Sequence, residues 1–310
     1  MRALVTGGAG FIGSRLCARL VADGHQVRAF DDLSDGSLDN LAKVPEVELV
    51  EGDLRSREAV RAAADGAEAI FHQGAKRSVP RSILEPGLTT EVNVGGTLNV
   101  LLAARDVGAR VVAASSSSVY GDQDRFPQEE SMAPRPKSPY AASKAAGEAY
   151  CLAVWTSMGV PAISLRYFNV YGPGQDPASE YAAVVPRFIT ACLNGARPVI
   201  YGDGEQARDF TFVDDIVEAN VMSALASDDA FGGAFNIGGG AEPTSINRLL
   251  RLIAELTGTS PEPVHERSRE GDVRMTYADV SRARAALGYE PRVQIREGLR
   301  RTLAAFPATD

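Results

Sequence analysis

A run of glycines near the N-terminus constrains the fold of this chain more than any other feature of the sequence. In "RALVTGGAGFIGSRL", an apolar run over residues 2–6 is followed by Gly7, Gly10 and Gly13, and a helical pattern begins near Phe11. The glycines therefore fall where a predicted strand passes into a predicted helix. Because glycine allows a tight turn and a close approach of the two elements, the stretch predicts the start of a β-α-β unit.

The same alternation of strand and helix continues through the first half of the chain. Helical patterns such as "FIGSRLCARLVADG" and "VGGTLNVLLAARDVG" separate short runs rich in β-branched and apolar residues. These runs, which we predict to be strands, cover residues 2–6, 26–30, 47–52, 68–73, 109–115 and 162–168. Strands that alternate with helices form right-handed crossovers and a parallel sheet. The predicted fold class is therefore α/β, with a doubly wound parallel sheet of the Rossmann type.

The composition changes after about residue 170. Glycine and proline become dense in "YGPGQDP", "NGARPVIYGDGEQ" and "NIGGGAEP", and the predicted strands become shorter. Such a change marks a second, more irregular unit. We expect a Rossmann domain over residues 1–170, to which a segment near 209–238 returns, and a smaller α/β C-terminal domain formed mainly by residues 171–310.

Charge and cysteine content argue against several classes of function. The 310 residues include 32 Lys and Arg and 40 Asp and Glu, which gives a net charge of −8 at pH 7. Such a chain offers no broad basic surface to nucleic acid or to an anionic membrane. Cys17, Cys151 and Cys192 lie far apart, a spacing that favours small buried residues over a metal site or disulfides. From the cysteine spacing we expect no metal site. The sequence also has no apolar run long enough to span a bilayer, so we expect a cytoplasmic protein.

The glycine turn also suits a phosphate group. Its glycines let the backbone approach a pyrophosphate, whose charge is stabilised by the free N–H groups at the start of the helix. The next predicted strand ends in "FDDL", where Asp31 or Asp32 can accept hydrogen bonds from an adenosine ribose and repel a 2′-phosphate. The third ends in "GDL", where Asp53 either reaches the adenine or caps a helix. The pattern favours bound NAD over NADP, although a glycine-rich stretch by itself is often only a turn.

A tyrosine and a lysine stand four residues apart in "SPYAASKAAGEAY". On a helix, residues i and i+4 share a face, so Tyr140 and Lys144 project together. An ammonium beside a phenol stabilises the phenolate and lowers the pKa of the phenol, which makes the tyrosine a general base or acid. For an isolated pair of this kind, the alternative is an exposed tyrosine and a solvated lysine. The glycine turn and the serine run "SSSSVYG" that precede this helix favour a catalytic site.

The order of these motifs resembles that of the extended short-chain dehydrogenase/reductase superfamily. Within it, the chain is most similar to the UDP-galactose 4-epimerase family, through "VTGGAGFIG", "SSSSVYG", "YAASK", "RYFNVYGPGQDP" and "YGDGEQARDFTFVDD", and the similarity covers essentially all 310 residues. The resemblance implies an NAD-dependent 4-epimerase that interconverts UDP-glucose and UDP-galactose, with Ser116, Tyr140 and Lys144 as catalytic residues. Tyr140 would take the proton of the sugar 4′-hydroxyl while C4 gives hydride to NAD. The 4-keto sugar would then turn and take the hydride back on its other face.

The resemblance also assigns binding residues by position. For NAD they are Gly7, Gly10, Phe11, Ile12, Gly13, Asp31, Asp32, Ser34, Gly36, Asp53, Leu54, Gln73, Gly74, Ala75, Arg77, Asn93, Tyr140, Lys144 and Tyr167. For the UDP-sugar they are Arg77, Ser78, Ser116, Ser117, Ser118, Tyr140, Asn169, Ala183, Val184, Val199, Tyr201, Arg208, Arg269, Asp272 and Thr276. Arg208 and Arg269 would hold the diphosphate, and Tyr201 would stack on uracil. From composition alone, either arginine could lie on the surface and the tyrosine could be a packed aromatic.

A few positions bear on which sugar is converted. Sugar dehydratases and decarboxylases of the superfamily carry acidic residues where this chain has Ser117 and Ser118, so the serines favour epimerisation. Members restricted to glucose and galactose carry a tyrosine at the position of Thr276, and the small side chain here predicts that UDP-GlcNAc and UDP-GalNAc are accepted as well. Arg77 would favour a hexuronate or another modified sugar, or it would contact a cofactor phosphate or solvent. The basic residues Lys76 and Arg81 share these alternatives.

Two predicted helices bear on assembly. The stretches "VNVGGTLNVLLAAR" and "AAGEAYCLAVW" carry apolar residues on more than the one face that a sheet covers. Either both faces are buried within one chain or, as the resemblance implies, the helices form a four-helix bundle in a homodimer. Two further functions stay open: a nucleotide-sugar dehydratase or decarboxylase, and a non-catalytic NAD-binding sensor or scaffold. A sensor usually loses one of the residues that this chain keeps at Ser116, Tyr140 and Lys144.

Overall fold

The computed structural model describes residues 1–176, 183–268 and 273–306. Two predicted site residues, Arg269 and Asp272, lie outside these ranges. The strands, in chain order, are β1 (Arg2–Thr6), β2 (Gln26–Asp31), β3 (Glu48–Glu51), β4 (Ala69–His72), β5 (Arg110–Ser116), β6 (Ala162–Tyr167), β7 (Val170–Tyr171), β8 (Val199–Tyr201), β9 (Ala207–Arg208), β10 (Thr211–Phe212), β11 (Ala234–Ile237), β12 (Thr244–Ser245) and β13 (Val264–Glu266).

The helices alternate with the strands of the first half and dominate the second. In chain order they are α1 (Phe11–Ala22), α2 (Arg57–Ala63), α3 (Val79–Leu84), α4 (Pro86–Thr90), α5 (Gly96–Val107), α6 (Pro139–Met158), α7 (Val184–Leu193), α8 (Val213–Ala224), α9 (Ile246–Thr257), α10 (Ser281–Leu287) and α11 (Ile295–Ala304). A π-helical turn, Glu91–Gly95, leads into α5, and 3₁₀ turns lie at Leu38–Asn40, Ser117–Tyr120 and Asp228–Ala230.

Seven parallel strands form the central sheet, in the order β11-β6-β5-β4-β1-β2-β3. The six predicted strands and the doubly wound α/β fold class are thus confirmed. The strand order reverses between β1 and β4, and in open α/β sheets ligands bind at the carboxyl ends of the strands beside such a point. A late segment completes the sheet, because β11 pairs with β6. The division into domains at residue 170 stays a prediction.

Helices cover both faces of the sheet because successive side chains of a strand point to opposite sides. Along β1, Ala3 and Val5 pack with α1 and α8, whereas Leu4 packs on the other face with α2, α5 and α6. Strands β4 and β6 are buried along their whole length, as expected for interior strands of a parallel sheet. Only the strand ends remain open to a ligand.

The residues after β6 build a separate hydrophobic core. Helices α7, α9 and α11 pack there with Tyr171 and Phe212. Around this core lie short strand pairs, of which β7–β10 and β8–β13 are parallel and β9–β12 is antiparallel. Phe11 and Ile12, in the first turn of α1, pack against the same core. The glycine turn therefore lies where the early and late parts of the chain meet.

Three observations bear on the chemistry open to the protein. None of the helices in the described ranges is long and apolar enough to cross a membrane. Within those same ranges, no group of three or more His, Cys, Asp and Glu residues is placed to hold a metal ion. The cysteines Cys17, Cys151 and Cys192 are buried free thiols, which agrees with the prediction of small core residues.

Candidate active site

A cavity of about 640 Å³ opens at the carboxyl ends of the central strands, beside the reversal of strand order. It brings together all of the predicted cofactor residues except Asn93: the cavity is lined by Gly7, Gly10, Phe11, Ile12, Gly13, Asp31, Asp32, Ser34, Gly36, Asp53, Leu54, Gln73, Gly74, Ala75, Arg77, Tyr140, Lys144 and Tyr167. Of the predicted substrate residues within the described part of the chain, Arg77, Tyr140 and Ala183 line it.

The glycine turn has the shape that a pyrophosphate requires. Gly7 has a φ of +66°, and a Cβ there would stand 2.6 Å from the backbone nitrogen of Gly74. A Cβ on Gly13 would collide with the carbonyl oxygen of Gly7. Gly10 is the N-cap of α1 and brings no side chain to the first N–H groups of that helix. These donors therefore face the cavity and can hold the phosphates of a dinucleotide.

The two aspartates after β2 have different environments. Asp31 is buried, and its carboxylate accepts from the backbone nitrogens of Ala9 and Leu33, each at 2.9 Å. Burial raises the pKa of this carboxyl, and the two backbone hydrogen bonds oppose the shift. Asp32 is exposed at the cavity and accepts from the nitrogen and hydroxyl of Ser34, at 3.0 and 2.5 Å. Asp31 thus braces the glycine turn, while Asp32 leaves a carboxylate oxygen open to a ribose.

Asp53 does not cap a helix, so one of its two sequence-based interpretations is wrong. Ser56 caps α2 instead, by accepting from the nitrogen of Ala59 at 3.2 Å. Asp53 lines the cavity and pairs with Arg55, whose Nη2 lies 2.6 Å from Asp53 Oδ2. Hydrogen bonding from Arg55 lowers the pKa of the Asp53 carboxyl, which is therefore ionised at neutral pH.

Ser116, Tyr140 and Lys144 come from two neighbouring elements. Ser116 ends β5, and α6 begins beside it at Pro139 with Ser138 as its N-cap. Tyr140 therefore lies in the first turn of α6 and Lys144 one turn later. Lys144 Nζ lies 6.0 Å from the centroid of the Tyr140 ring and donates to the carbonyl oxygen of Ala114 at 2.8 Å. The predicted common face of the two side chains is thus present.

The electrostatic part of that prediction needs correction. Burial raises the pKa of Tyr140, and the groups that oppose the shift are the Ser116 side chain, through a hydrogen bond, and the charge of Arg77. Burial also lowers the pKa of Lys144 to about 8, against the attraction of Glu148. Lys144 donates to a backbone carbonyl, and the groups that favour the phenolate of Tyr140 are Ser116 and Arg77.

The serine run orients the hydroxyl of Ser116. Ser116 Oγ accepts from the nitrogen of Ser118 at 3.2 Å and from its hydroxyl at 2.9 Å. With two bonds accepted, the hydroxyl hydrogen of Ser116 is left to be donated. Ser117 and Ser118 form a 3₁₀ turn, and none of the three serines 116–118 lines the cavity, although Ser115 does. They support Ser116 rather than touching the dinucleotide site.

Tyr167 and Gln73 are held by a residue of α8. The hydroxyl of Tyr167 lies 3.1 Å from Gln73 Oε1 and 3.0 Å from Asn220 Oδ1. Gln73 Nε2 donates to the same oxygen of Asn220 at 2.9 Å. Burial raises the pKa of Tyr167, so its hydroxyl stays protonated. Helix α8 thus fixes two side chains of the cavity wall.

Asn93 lies behind the cavity wall instead of lining it. Its Oδ1 accepts from the nitrogen of Lys76 at 2.8 Å, and its Nδ2 donates to the carbonyl of Lys76 at 3.0 Å and to Ser143 Oγ at 2.9 Å. The structure therefore corrects its assignment as a cofactor contact. All of its amide groups are used to hold the loop at Lys76 and helix α6.

Sequence reasoning left Lys76 undecided, yet Lys76 lines the cavity. Its Nζ donates to Ser34 Oγ at 2.6 Å and to Asp35 Oδ2 at 3.0 Å, which connects two cavity loops. Arg81, by contrast, lies outside the cavity and pairs with Glu85 at 3.2 Å. Lys76 follows Gly74, a predicted cofactor contact, by only two residues, and this proximity in the sequence could have indicated that it lines the cavity. Arg77, which lines the cavity beside it, has no hydrogen bond or ion pair within the described residues.

The other predicted substrate residues surround the site without lining its cavity. Ser78 caps α3, and Val184 begins α7. Val199 and Tyr201 lie on β8, where the Arg187 guanidinium stands 5.6 Å from the Tyr201 ring centroid. The structure does not bring these side chains into the cavity wall, so their roles stay predictions.

Asn169, Arg208 and Thr276 form a second group, around strand β9. Asn169, with a φ of +30°, donates from Nδ2 to the carbonyl of Asp209 at 3.1 Å and to Thr276 Oγ1 at 2.8 Å. Thr276 is buried. Arg208 is also buried and donates to the carbonyl of Ala207 at 2.9 Å. Because both N–H groups of the Asn169 amide are used, only its oxygen is left for a ligand.

A glycine turn, an acidic strand end and a Tyr/Lys pair around one cavity define a dinucleotide-dependent enzyme of the Rossmann type. A model of the "NAD dependent epimerase/dehydratase family" matches residues 3–238, and the chain belongs to this family. It is therefore an enzyme, and NAD is its cofactor.

Relatives with this fold are known at high similarity. A UDP-glucose 4-epimerase of Mycolicibacterium smegmatis is 43% identical over 313 residues, which cover 99% of this chain and 98% of the relative. The solved UDP-glucose 4-epimerase of Thermotoga maritima with UDP-glucose has a TM-score of 0.94 at 36% identity, over 98% of both chains. A UDP-N-acetylglucosamine 4-epimerase of Methanobrevibacter ruminantium has a TM-score of 0.93 at 37% identity, over 98% of this chain and 97% of its own. Other matches are named UDP-glucuronate 4-epimerase and dTDP-glucose 4,6-dehydratase.

Proposed function

We propose that this enzyme is a nucleotide-sugar 4-epimerase that interconverts UDP-glucose and UDP-galactose and also accepts UDP-GlcNAc and UDP-GalNAc. The observation that carries the proposal is that Tyr140 and Lys144 line the same cavity as the glycine turn. This arrangement supports a role for Tyr140 as a base beside the dinucleotide site. Relatives named as UDP-glucose and UDP-N-acetylglucosamine 4-epimerases, similar over nearly the whole chain, support the same reaction.

The glycine turn, Asp32 and Lys144 would hold NAD, which supplies a hydride acceptor for the sugar C4 and returns the hydride. Tyr140 removes the proton of the 4′-hydroxyl as a general base and gives it back as a general acid. Ser116 donates its free hydroxyl hydrogen to the reacting oxygen, since Ser118 occupies its acceptor positions. The charge of Arg77 favours the phenolate that this role requires.

Epimerisation is favoured over dehydration or decarboxylation because no carboxyl group near Ser116 in the described part of the chain is available for proton transfer. Positions 117 and 118 are serines. A carboxylate does lie close by, because Glu148 Oε1 accepts from Ser115 Oγ at 2.5 Å. Both oxygens of Glu148 are engaged by Arg166, at 2.9 and 2.7 Å, and the pair is buried. Glu148 therefore cannot serve as the proton carrier that elimination of water needs.

A second candidate activity is 4-epimerisation of a UDP-hexuronate. Arg77 favours it, because this cation lines the cavity close enough to Tyr140 to affect its pKa. In the described part of the chain it has no carboxylate partner of its own. A relative named UDP-glucuronate 4-epimerase is 33% identical over 97% of this chain.

We also propose a homodimer held by a four-helix bundle of α5 and α6. The two helices pack side by side, and on α6 Ala149, Tyr150 and Ala153 are exposed. Leu98 and Leu102 of α5 are only half-buried. A charged residue in this face, as in Ala149→Glu, should convert the dimer to a monomer in sedimentation analysis.

A cytoplasmic location is part of the proposal, since the three cysteines are free thiols.

The proposed reaction is tested with purified protein and UDP-glucose, UDP-GlcNAc and UDP-glucuronate, followed by NMR of the anomeric protons. Inversion at C4 supports the epimerase and identifies the sugar. Loss of water or of carbon dioxide would instead identify a dehydratase or decarboxylase, and no turnover would leave an NAD-binding sensor.

A matched pair of variants links the reaction to Tyr140. Tyr140→Phe removes the phenol oxygen and should lower kcat by on the order of a thousandfold. Tyr150→Phe makes the same change on the same helix but outside the cavity, and it should leave kcat unchanged. Equal rates in the two variants would refute the role of Tyr140.

A further inference from the structure

A buried chain of hydrogen bonds runs beneath the cavity and takes no part in the mechanism above. The backbone nitrogen of Gly74 donates to Thr6 Oγ1 at 3.3 Å, and Thr6 Oγ1 lies 2.7 Å from His72 Nδ1. On the other side of the imidazole, His72 Nε2 lies 3.0 Å from Thr97 Oγ1, whose hydroxyl donates to the carbonyl oxygen of Asn93 at 2.5 Å. The buried members of the chain are Thr6, His72, Asn93 and Thr97.

The two ends determine the direction of every bond in this chain. Thr97 has a single hydroxyl hydrogen, which goes to the Asn93 carbonyl, so His72 Nε2 must donate to Thr97 Oγ1. Burial lowers the pKa of His72 to about 3, so the imidazole is neutral and its Nδ1 is an acceptor. Thr6 then donates to Nδ1 and accepts from the N–H of Gly74. The geometry requires the Nε2–H tautomer of His72.

Both ends of the chain reach parts of the cofactor cavity. Gly74 lines the cavity and lies against the glycine turn, where a Cβ on Gly7 would stand 2.6 Å from the Gly74 nitrogen. At the other end, Asn93 holds the backbone of Lys76 through its side-chain amide. The same amide donates to Ser143 Oγ at 2.9 Å, on the helical turn that carries the tyrosine and the lysine of the site.

We propose that His72 is a positioning residue for NAD. In its Nε2–H tautomer it couples the peptide of Gly74, which lies against the glycine turn, to Asn93, which holds Lys76 and helix α6. The inference concerns the cofactor and does not depend on which sugar is converted. A purely structural role of His72 would lower stability without changing the affinity for NAD, so the two roles give different results.

The tautomer is tested in the full-length wild-type protein labelled with ¹⁵N at histidine. For His72 we expect a pyridine-type Nδ1 signal and a pyrrole-type Nε2 signal, both constant from about pH 5 to about pH 9. His25 and His265 provide reference signals in the same spectrum. A pyrrole-type Nδ1 on His72, or a signal that titrates like a free imidazole, overturns the proposal.

The effect on NAD is tested with two isosteric variants. Thr97→Val removes the hydroxyl that links His72 to the Asn93 carbonyl. Thr302→Val is the matched control, because Thr302 is also buried and its hydroxyl donates to the carbonyl four residues earlier, Gly298, at 2.7 Å. We expect the Kd of NAD alone to rise on the order of tenfold in Thr97→Val and less than about twofold in the control. Thr97→Ser keeps the hydroxyl and should restore the wild-type Kd.

Equal affinity for NAD in the two valine variants overturns the proposal, whatever the change in Tm. Failure of the wild-type protein to bind NAD overturns it as well. Because the readout is NAD without sugar, a protein that binds NAD as expected but converts no UDP-sugar would refute the proposed function and leave this inference standing.

Discussion

Arg166 on β6 donates to both carboxylate oxygens of Glu148 on α6, from Nη2 at 2.7 Å and from Nε at 2.9 Å. The exposed fractions of the two side chains are 5% and 10%. Glu148 lies one helical turn after Lys144, and it also accepts from Ser115, the residue before Ser116. The ion pair therefore joins β5, β6 and α6 directly behind the site.

Glu148→Gln should destabilise the protein by about 3 to 5 kcal/mol, because it leaves the charge of Arg166 buried without a partner. Urea unfolding measures the change. Glu218→Gln is the control: its pair with Arg19 is partly exposed, and its loss should cost less than about 1 kcal/mol. The charge of Glu148 also raises the pKa of Lys144, so without it Lys144 should lose its proton at a lower pH. The remaining activity of the variant should therefore decline at a lower alkaline pH than the activity of the wild type. Equal stability of the two variants would contradict this description of the pair.

The two aspartates after β2 should respond differently to substitution. Asp32→Ala removes a carboxylate exposed at the cavity, so the Kd of NAD should rise on the order of tenfold while that of NADP rises less. Asp31→Asn places an amide against two backbone N–H groups, at Ala9 and Leu33, so it should lower Tm and weaken both cofactors alike. Titration of each variant with NAD and NADP, together with thermal unfolding, measures both effects. A change in the NAD to NADP preference in Asp31→Asn alone would contradict these assignments.

Thr276→Tyr should restrict the proposed reaction to the smaller sugars. A bulky ring near the sugar end would exclude a group on C2, so the ratio of kcat/KM for UDP-GlcNAc to that for UDP-glucose should fall by at least about tenfold. Thr276→Ala is the control, because it breaks the hydrogen bond with Asn169 but adds no volume. It should leave the ratio within about twofold of the wild type. An unchanged ratio in the tyrosine variant would place Thr276 away from the C2 substituent.

His72 should make the stability depend on pH. Its pKa is about 3 when buried, against 6.5 for the free group, so the unfolded chain binds more protons between these values and stability falls as pH falls through that window. From pH 7 to pH 5 the loss from this residue is about 2 kcal/mol. His72→Gln should lack this loss, and urea unfolding of both proteins at the two pH values measures it. Asp209, whose pKa burial raises to about 6, acts in the opposite direction but contributes equally to both proteins.

The parts of this structure that could be predicted from the sequence are those that depend on residues close to one another in the chain. The glycine turn, the strands and the start of α6 at Pro139 each depend on a pattern of a dozen residues or fewer. The predicted positions of the glycines, Asp31, Asp32 and Asp53 at one cavity followed from such patterns, because the carboxyl ends of adjacent parallel strands meet at one edge. The other predicted cofactor residues came from the family resemblance.

The supporting contacts could not be predicted, because they join residues far apart in the sequence. Gln73 and Asn220 are 147 positions apart, and Thr6 and His72 are 66 apart. No local pattern distinguishes His72 from any other histidine that ends a strand. The same reason explains the error about Tyr140: its pKa depends on burial and on Arg77, which lies on a different loop.

The last strand of the sheet, β11, comes from residues 234–237 and covers the outer side of β6. A polypeptide ending at residue 170 would leave the N–H and C=O groups of that side open to a strand from another molecule. Such a fragment should form insoluble aggregates, even though it would contain the glycine turn and both members of the Tyr/Lys pair. Any exchange of the later half of the chain would therefore have to supply a substitute strand for β6.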